Sequence, residues 1–175
     1  MRRTAYNERI TDKVGKGHAM ATVRGTEGKY GKHFIQELHD PHAGTPEFQE
    51  MYKRFSRRIL WMDSNVVPGA FQMNTAWYHH VPDRDPVFEE HVHEDDEIIG
   101  FFGTNPDDPY ALDAELTFSI DGEDHLIDKT TRVFVPGGLP HGRISIKRIG
   151  TPIFHFSVVT GKHFDNGAYE TGDGK

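Results

Sequence analysis

An all-β protein, an antiparallel sandwich or barrel with one short helix, is what this sequence predicts, on three observations. From about residue 60 onward, apolar residues recur with period two in short runs. Clusters of Pro, Gly and Asp break those runs. A helical period appears in only one stretch, Thr45 to Ile59. Many short strands with tight turns favour an antiparallel architecture.

The 175 residues suit one domain, long enough to bury about 70% of its unfolded surface. Hydrophobic content is 35%, so the core is modest and belongs to the middle and C-terminal parts. A net charge of −7 argues against a nucleic-acid partner, which needs a basic face. The one basic cluster, Lys53, Arg54, Arg57 and Arg58, reads as the solvated side of a helix. With no cysteine, disulfides and thiolate metal sites are excluded. The start, "MRRTAYNERI", lacks the apolar stretch of a signal peptide. The longest apolar run, Ile98 to Phe102, is too short to span a bilayer. The expectation is a soluble, cytoplasmic protein with no membrane partner. Histidine stands out at 12 residues, so their spacing becomes the functional question.

In chain order, residues 1–59 read as an N-terminal arm, a short strand and a helix, 60–161 as the β domain and 162–175 as a polar tail. Residues 1 to about 32 are polar and without period. "KHFIQEL" (Lys32 to Leu38) reads as a short strand. In "TPEFQEMYKRFSRRI", Thr45 suits the N-cap and Pro46 the first helical position. Phe48, Met51, Tyr52, Phe55 and Ile59 then recur at spacings of three and four. "AFQMNTAWYHHV" places Phe71, Met73, Thr75 and Trp77 on one face. "AELTFSIDGE" does the same for Leu116, Phe118 and Ile120 and closes on a hairpin-type turn. Thr104 to Ala114 reads as a loop inserted between strands. "TRVFVP", "GRISIKRI" and "PIFHFSVV" complete the set, and no internal repeat is present.

Two motifs carry chemistry. In "EEHVHEDDEIIGFFG" (Glu89 to Gly103), His91 and His93 share a face if extended. Glu97 is roughly 20 Å from His91 along a straight strand, so it can join them only if the chain folds back. Asp95 and Asp96 are turn formers that would allow it, with Glu97 opening the next strand. Two imidazoles and a carboxylate form a ligand set for non-haem iron and related Mn, Ni, Cu or Zn sites. Alone, the stretch reads equally well as an acidic surface loop. The second motif, "VFVPGGLPHG" (Val133 to Gly142), ends a strand, turns at Pro136, Gly137 and Gly138, and delivers His141 to the next strand.

Together the motifs resemble the cupin superfamily: His91, His93, Glu97 and Gly103 fit its first motif, and Pro136, Gly138 and His141 its second. The resemblance covers roughly residues 60 to 160. It implies an antiparallel jelly-roll β-barrel holding one divalent ion (Fe, Mn, Ni or Zn) on His91, His93, Glu97 and His141. One or two coordination positions would stay open, as catalytic sites require. Departures are the "DPVFEE" run in place of a Gly before the first motif, the lack of a Gly before Pro136, Ser145 where Asn is frequent, and a long stretch between motifs. They leave the substrate open. The resemblance implies a metal-dependent enzyme on a small organic molecule, with dioxygenase favoured. Lyase, isomerase, decarboxylase and non-catalytic binding cupins are the alternatives.

Around the metal, a strand through "HGRISIK" would put Arg143 and Ser145 on the face of His141. Arg143 would there anchor a substrate carboxylate; otherwise it is a surface arginine. His155, opposite in phase to Phe154, Phe156 and Val158, is a candidate acid/base or an exposed strand histidine. Trp77, Tyr78, His79 and His80 are candidate wall residues. A homodimer is expected, with arm and first strands crossing onto the partner to cover an edge.

Overall fold

The structure, a computed structural model, describes residues 22–41 and 43–161. The first 21 residues of the expected arm and the expected tail, 162–175, lie outside the described residues. The helix α1 (Pro46–Phe55) starts as its sequence directs: Thr45 Oγ1 accepts from Phe48 N–H at 3.2 Å and Pro46 occupies the first turn. It buries Phe48, Met51, Tyr52 and Phe55, and its three rings form an aromatic cluster with Tyr78 and Phe88.

The helix stops short of Ile59. Phe55 C=O accepts from His79 N–H at 2.8 Å, and Ser56 is already extended. A sheet partner thus captures the carbonyl that another helical turn would need. Arg57 and Arg58 fall instead on strand β1 (Ser56–Met62). Arg58 is no solvated helix residue: its side chain is 8% exposed, bonds Asp40 at 2.7 Å and Asn74 at 3.2 Å, and lies over Tyr52 and Trp61. Nor is Lys32 to Leu38 a strand. Gly31–His33 is a single 3-10 turn, and the residues after it have no ladder partner.

Seven further strands follow: β2 (Gln72–Tyr78), β3 (Glu97–Phe102), β4 (Ala111–Ile120), β5 (Glu123–Lys129), β6 (Thr131–Val135), β7 (His141–Ile149) and β8 (Ile153–Val159). All pairings are antiparallel, in a five-stranded sheet of order β1-β2-β8-β3-β6 and a three-stranded sheet β5-β4-β7. The two sheets form a jelly-roll sandwich with no closed barrel. Their facing sides meet in one core that includes Ala76, Tyr78, Ile99, Phe101 and Ile153 from one sheet and Leu116, Phe118, Ile127, Ile144 and Ile146 from the other. The β4–β5 turn has φ of 48° at Asp121 and 79° at Gly122, the two positive values that a type I′ hairpin needs. The loop after β3 is shorter than the sequence suggested, because β4 begins at Ala111. Gly103 makes this possible: a Cβ there would lie 1.8 Å from Ala111 O. Among the described residues, no helix is long and apolar enough to cross a membrane.

Candidate metal centre

Glu97, the first residue of β3, and His141, the first of β7, are both buried and belong to different sheets. His91 pairs with His141 in an isolated bridge, with N–H···O distances of 2.8 and 2.9 Å. The expected regular strand through His91 and His93 is therefore reduced to this one bridge. The fold-back expected at Asp95 and Asp96 is present, and His93 comes round beside Glu97. One donor atom from each of His91, His93, Glu97 and His141 lies within 4.8 Å of the others.

The second motif clamps the first. Gly138 N–H donates to His93 O at 2.7 Å, Gly137 N–H to Asp96 Oδ1 at 2.9 Å. A side chain at Gly137 would collide with Glu94 O at 2.0 Å, and Gly138 has φ of 81°. Gly142, with φ of 92°, leaves room for the His91 ring, whose Cε1 would sit 2.4 Å from a Cβ. The glycines let two distant segments touch.

Each imidazole has its Nδ1 against a carbonyl: His141 on Leu139 O at 2.6 Å, His93 on Asp95 O at 2.7 Å, His91 on Glu89 O at a weak 3.4 Å. With an ion bound, Nδ1 would keep its proton and Nε2 would offer the lone pair a metal needs; without one, the Nε2–H groups of His93 and His141 donate to Glu97. His141 Nε2 and His93 Nε2 stand 2.9 and 3.4 Å from Glu97 Oε2. Ligands about 2.1 Å from one ion are about 3.0–3.5 Å apart in octahedral or tetrahedral geometry, so these spacings fit a shared ion.

The same contacts set the electrostatics. Burial raises the Glu97 carboxyl, but hydrogen bonds from His141 and His93 outweigh it and hold the pKa at about 2. Burial, reinforced by His141, lowers His91 and keeps it neutral. The Glu97 hydrogen bond raises His93. An ionised carboxylate among imidazoles is the state in which such residues bind a cation.

The two motifs, far apart in sequence, thus meet at one end of a two-sheet jelly roll. The fold is a two-sheet antiparallel jelly roll, as the resemblance implied. No protein-family model matches the chain, and no curated protein matches it. Among solved structures, it is similar to an RmlC-like cupin from Shewanella frigidimarina (13% identity, 73% of this chain and 86% of that one, TM-score 0.38). It is also similar to an oxalate oxidase in complex with the substrate analogue glycolate (18%, 87% and 72%, TM-score 0.47). A predicted oxalate decarboxylase from Thermotoga maritima is a third (15%, 60% and 77%, TM-score 0.39).

Other expected site residues fall differently. Arg143 does not share the inward face of His141. The register skips between Phe118↔Ile144 and Ile120↔His141, so the bulge at Gly142 turns Arg143 outward. Its side chain is half exposed and 3.8 Å from Asp124. Ser145 pairs with Thr117, on that outward face too. His155 is not an exposed strand histidine. It is buried, stacked on Tyr78 at 4.6 Å, and its Nδ1–H donates to Gly100 O at 3.1 Å. Burial pushes its pKa down to about 4. Of the candidate wall residues only Tyr78 faces inward. Trp77 points out, and His79 and His80 lie beyond β2, at the end away from Glu97.

The inward phase of β2 is the one its hydrophobicity did not suggest: Gln72, Asn74, Ala76 and Tyr78 are buried. Gln72 and Glu97 both pair with Val159, which puts their backbones about 10 Å apart across β8. Asn74 and Ile99 likewise flank Ser157. Gln72, Asn74 and Ser157, which sequence reasoning missed, join the candidate His155 in giving the interior a polar side. Its signal was the alternate polar residues on β2 and β8.

Proposed function

We propose that this protein is a metal-dependent enzyme of the cupin type acting on a small oxygenated or carboxylate-bearing molecule, with dioxygenase as its reaction class. In this reading it works as a cytoplasmic homodimer. One ion of Fe, Mn, Ni or Zn is held by His91, His93, Glu97 and His141. The supporting observation is the convergence of these four donors, with the imidazole Nδ1 atoms on carbonyls and a polar inner surface on one side. A bound divalent ion supplies Lewis acidity, or redox chemistry where the metal permits, at a substrate oxygen. The Gln72 amide and Ser157 hydroxyl orient the polar groups of the substrate. His155, held neutral with Nδ1–H on Gly100, leaves Nε2 to accept a proton.

The test is elemental analysis of protein purified without added metal, then oxygen uptake with a panel of hydroxy acids and dicarboxylic acids. Wild type should carry one ion per chain. His141→Ala should lose metal and activity together. At a metal concentration of 100 Kd, holo protein gains about 2.7 kcal/mol, or roughly 5–10 °C in melting temperature, and the variant none. Full metal content in His141→Ala would remove this reading.

A further inference from the structure

Inside the five-stranded sheet, polar side chains descend in rows away from Glu97. Register puts Gln72 in the row of Glu97, Asn74 and Ser157 in the next, and Arg58 and His155 in the third. Rows lie about 6.7 Å apart, so the third is roughly 13 Å from the first. Ser157 and its row neighbour Val133 point inward yet are only partly buried, so open space reaches this depth. Among the described residues, none bonds the Gln72 amide, the Ser157 hydroxyl or Nε2 of His155. Gln72 is 8% exposed and His155 5%, and polar groups buried this far are costly to leave unbonded.

These groups ask for a particular chemistry. His155 Nδ1–H donates to Gly100 O at 3.1 Å, and Tyr78 and Phe101 flank the ring at 4.6 and 5.1 Å, so Nε2 is left as an acceptor. A partner there must donate. A carboxylate only accepts, and out of water it also needs a cation. Among the described residues, the three rows hold one cation, Arg58. Its Nη1 bonds Asp40 at 2.7 Å and its Nε bonds Asn74 at 3.2 Å, so it is already committed. A hydroxyl both donates and accepts, and so suits Ser157 and His155 alike. The facing sheet adds Leu116, Phe118 and Ile144, which pack against carbon–hydrogen surface and offer no hydrogen bond.

We propose that the substrate is polyhydroxylated: beyond the end that meets the ion, it carries uncharged hydroxyl groups that bond Ser157 and then His155. The inference rests on the metal reading above and narrows it. Gln72, in the row of Glu97, faces the end held at the ion, while Ser157 and His155 face the part that extends away from it. A second carboxylate in that part, as in a dicarboxylic acid, would meet an acceptor and no uncommitted cation.

The experiment is calorimetric titration of the metal-bearing full chain with glycolate, D-gluconate and D-glucarate. All share a hydroxy-acid end; D-gluconate extends it with hydroxyls, and D-glucarate ends the same chain in a second carboxylate. D-Gluconate should bind about 10-fold or more tighter than glycolate, through the added hydrogen bonds. D-Glucarate should bind about 10-fold or more weaker than D-gluconate. Ser157→Ala and His155→Phe should each weaken D-gluconate about 3- to 10-fold, with glycolate binding and metal content unchanged. Ser157→Ala removes one partly buried hydroxyl and keeps the test valid if His155→Phe fails to fold. D-Glucarate bound as tightly as D-gluconate overturns the proposal. So does D-gluconate bound no tighter than glycolate, or a preference that Ser157→Ala leaves intact. Metal content is measured on the same samples. A chain without its ion removes the earlier reading and this one with it, whereas any of those results with the ion in place removes this inference alone.

Discussion

On the three-stranded sheet, Leu116, Phe118, Ile127, Ile144 and Ile146 point inward, while Glu115, Asp124, Arg143 and Lys147 are exposed on the other side. On the five-stranded sheet, the inward positions around Glu97 include Gln72, Asn74 and Ser157 beside the apolar Val135 and Val159, and the outward ones are Trp77, Phe154, Phe156 and Phe134. The first follows the usual rule for a sheet with one wet face. The second reverses it in part. A sheet can hold polar groups inside when they face a ligand, and apolar groups outside when something covers them. The reversal marks where this molecule does more than fold.

The contrast predicts that inward substitutions have different consequences on the two sheets. Leu116→Ala, at 0% exposure, should cost about 2–5 kcal/mol in urea denaturation. A loss below about 1 kcal/mol would mean the three-stranded sheet is not the stability core.

Next in size is a pH effect from the five-stranded sheet. His155 titrates at about 4 when folded, against an ordinary 6.5, because burial disfavours its charged form. The unfolded chain therefore takes up a proton that the folded chain refuses. Stability is complete above pH 6.5 and falls as pH drops toward 4, by an amount on the order of 2–3 kcal/mol. His155→Gln, which keeps a donor toward Gly100 O, should flatten that part of the pH dependence of the urea midpoint. An unchanged slope would place the loss on other groups.

Gln72→Leu sharpens the comparison. It should alter stability by about 1 kcal/mol or less, because an amide is replaced by an apolar group of similar size. Turnover of the substrate should fall ~10- to 150-fold through a lost hydrogen bond to a charged group. Unchanged kcat/KM would remove Gln72 from the site. The smallest effect belongs to the outward face of the three-stranded sheet. Arg143→Ala should cost less than about 1 kcal/mol, since its contact with Asp124 is half exposed, and should leave kcat/KM untouched.

What was legible in the sequence follows from how local each signal is. Thr45 and Pro46 announced the helix start, and "DGE" the hairpin, because a cap and a type I′ turn depend on adjacent residues. The four metal-site candidates were legible because ligand type and spacing are written in short motifs. The helix end was not, since Phe55 C=O is taken by His79, a residue far along the chain. Nor was the inward phase of β2. Alternation says which residues share a face, not which face is the interior, and the more apolar phase was the wrong guide. Arg143 was misplaced because one bulge at Gly142 inverts the alternation after His141.

The capture of the Phe55 carbonyl by His79 also bears on how the chain assembles. As it emerges from the ribosome, Thr45 to Ile59 has a helical stripe throughout and no competitor, because β2 has not yet been made. The nascent segment is free to wind past Phe55. The carbonyl that ends the helix is taken by His79, so the boundary between helix and strand depends on residues synthesised later. A fragment ending before β2 is expected to be more helical over these residues than the finished protein.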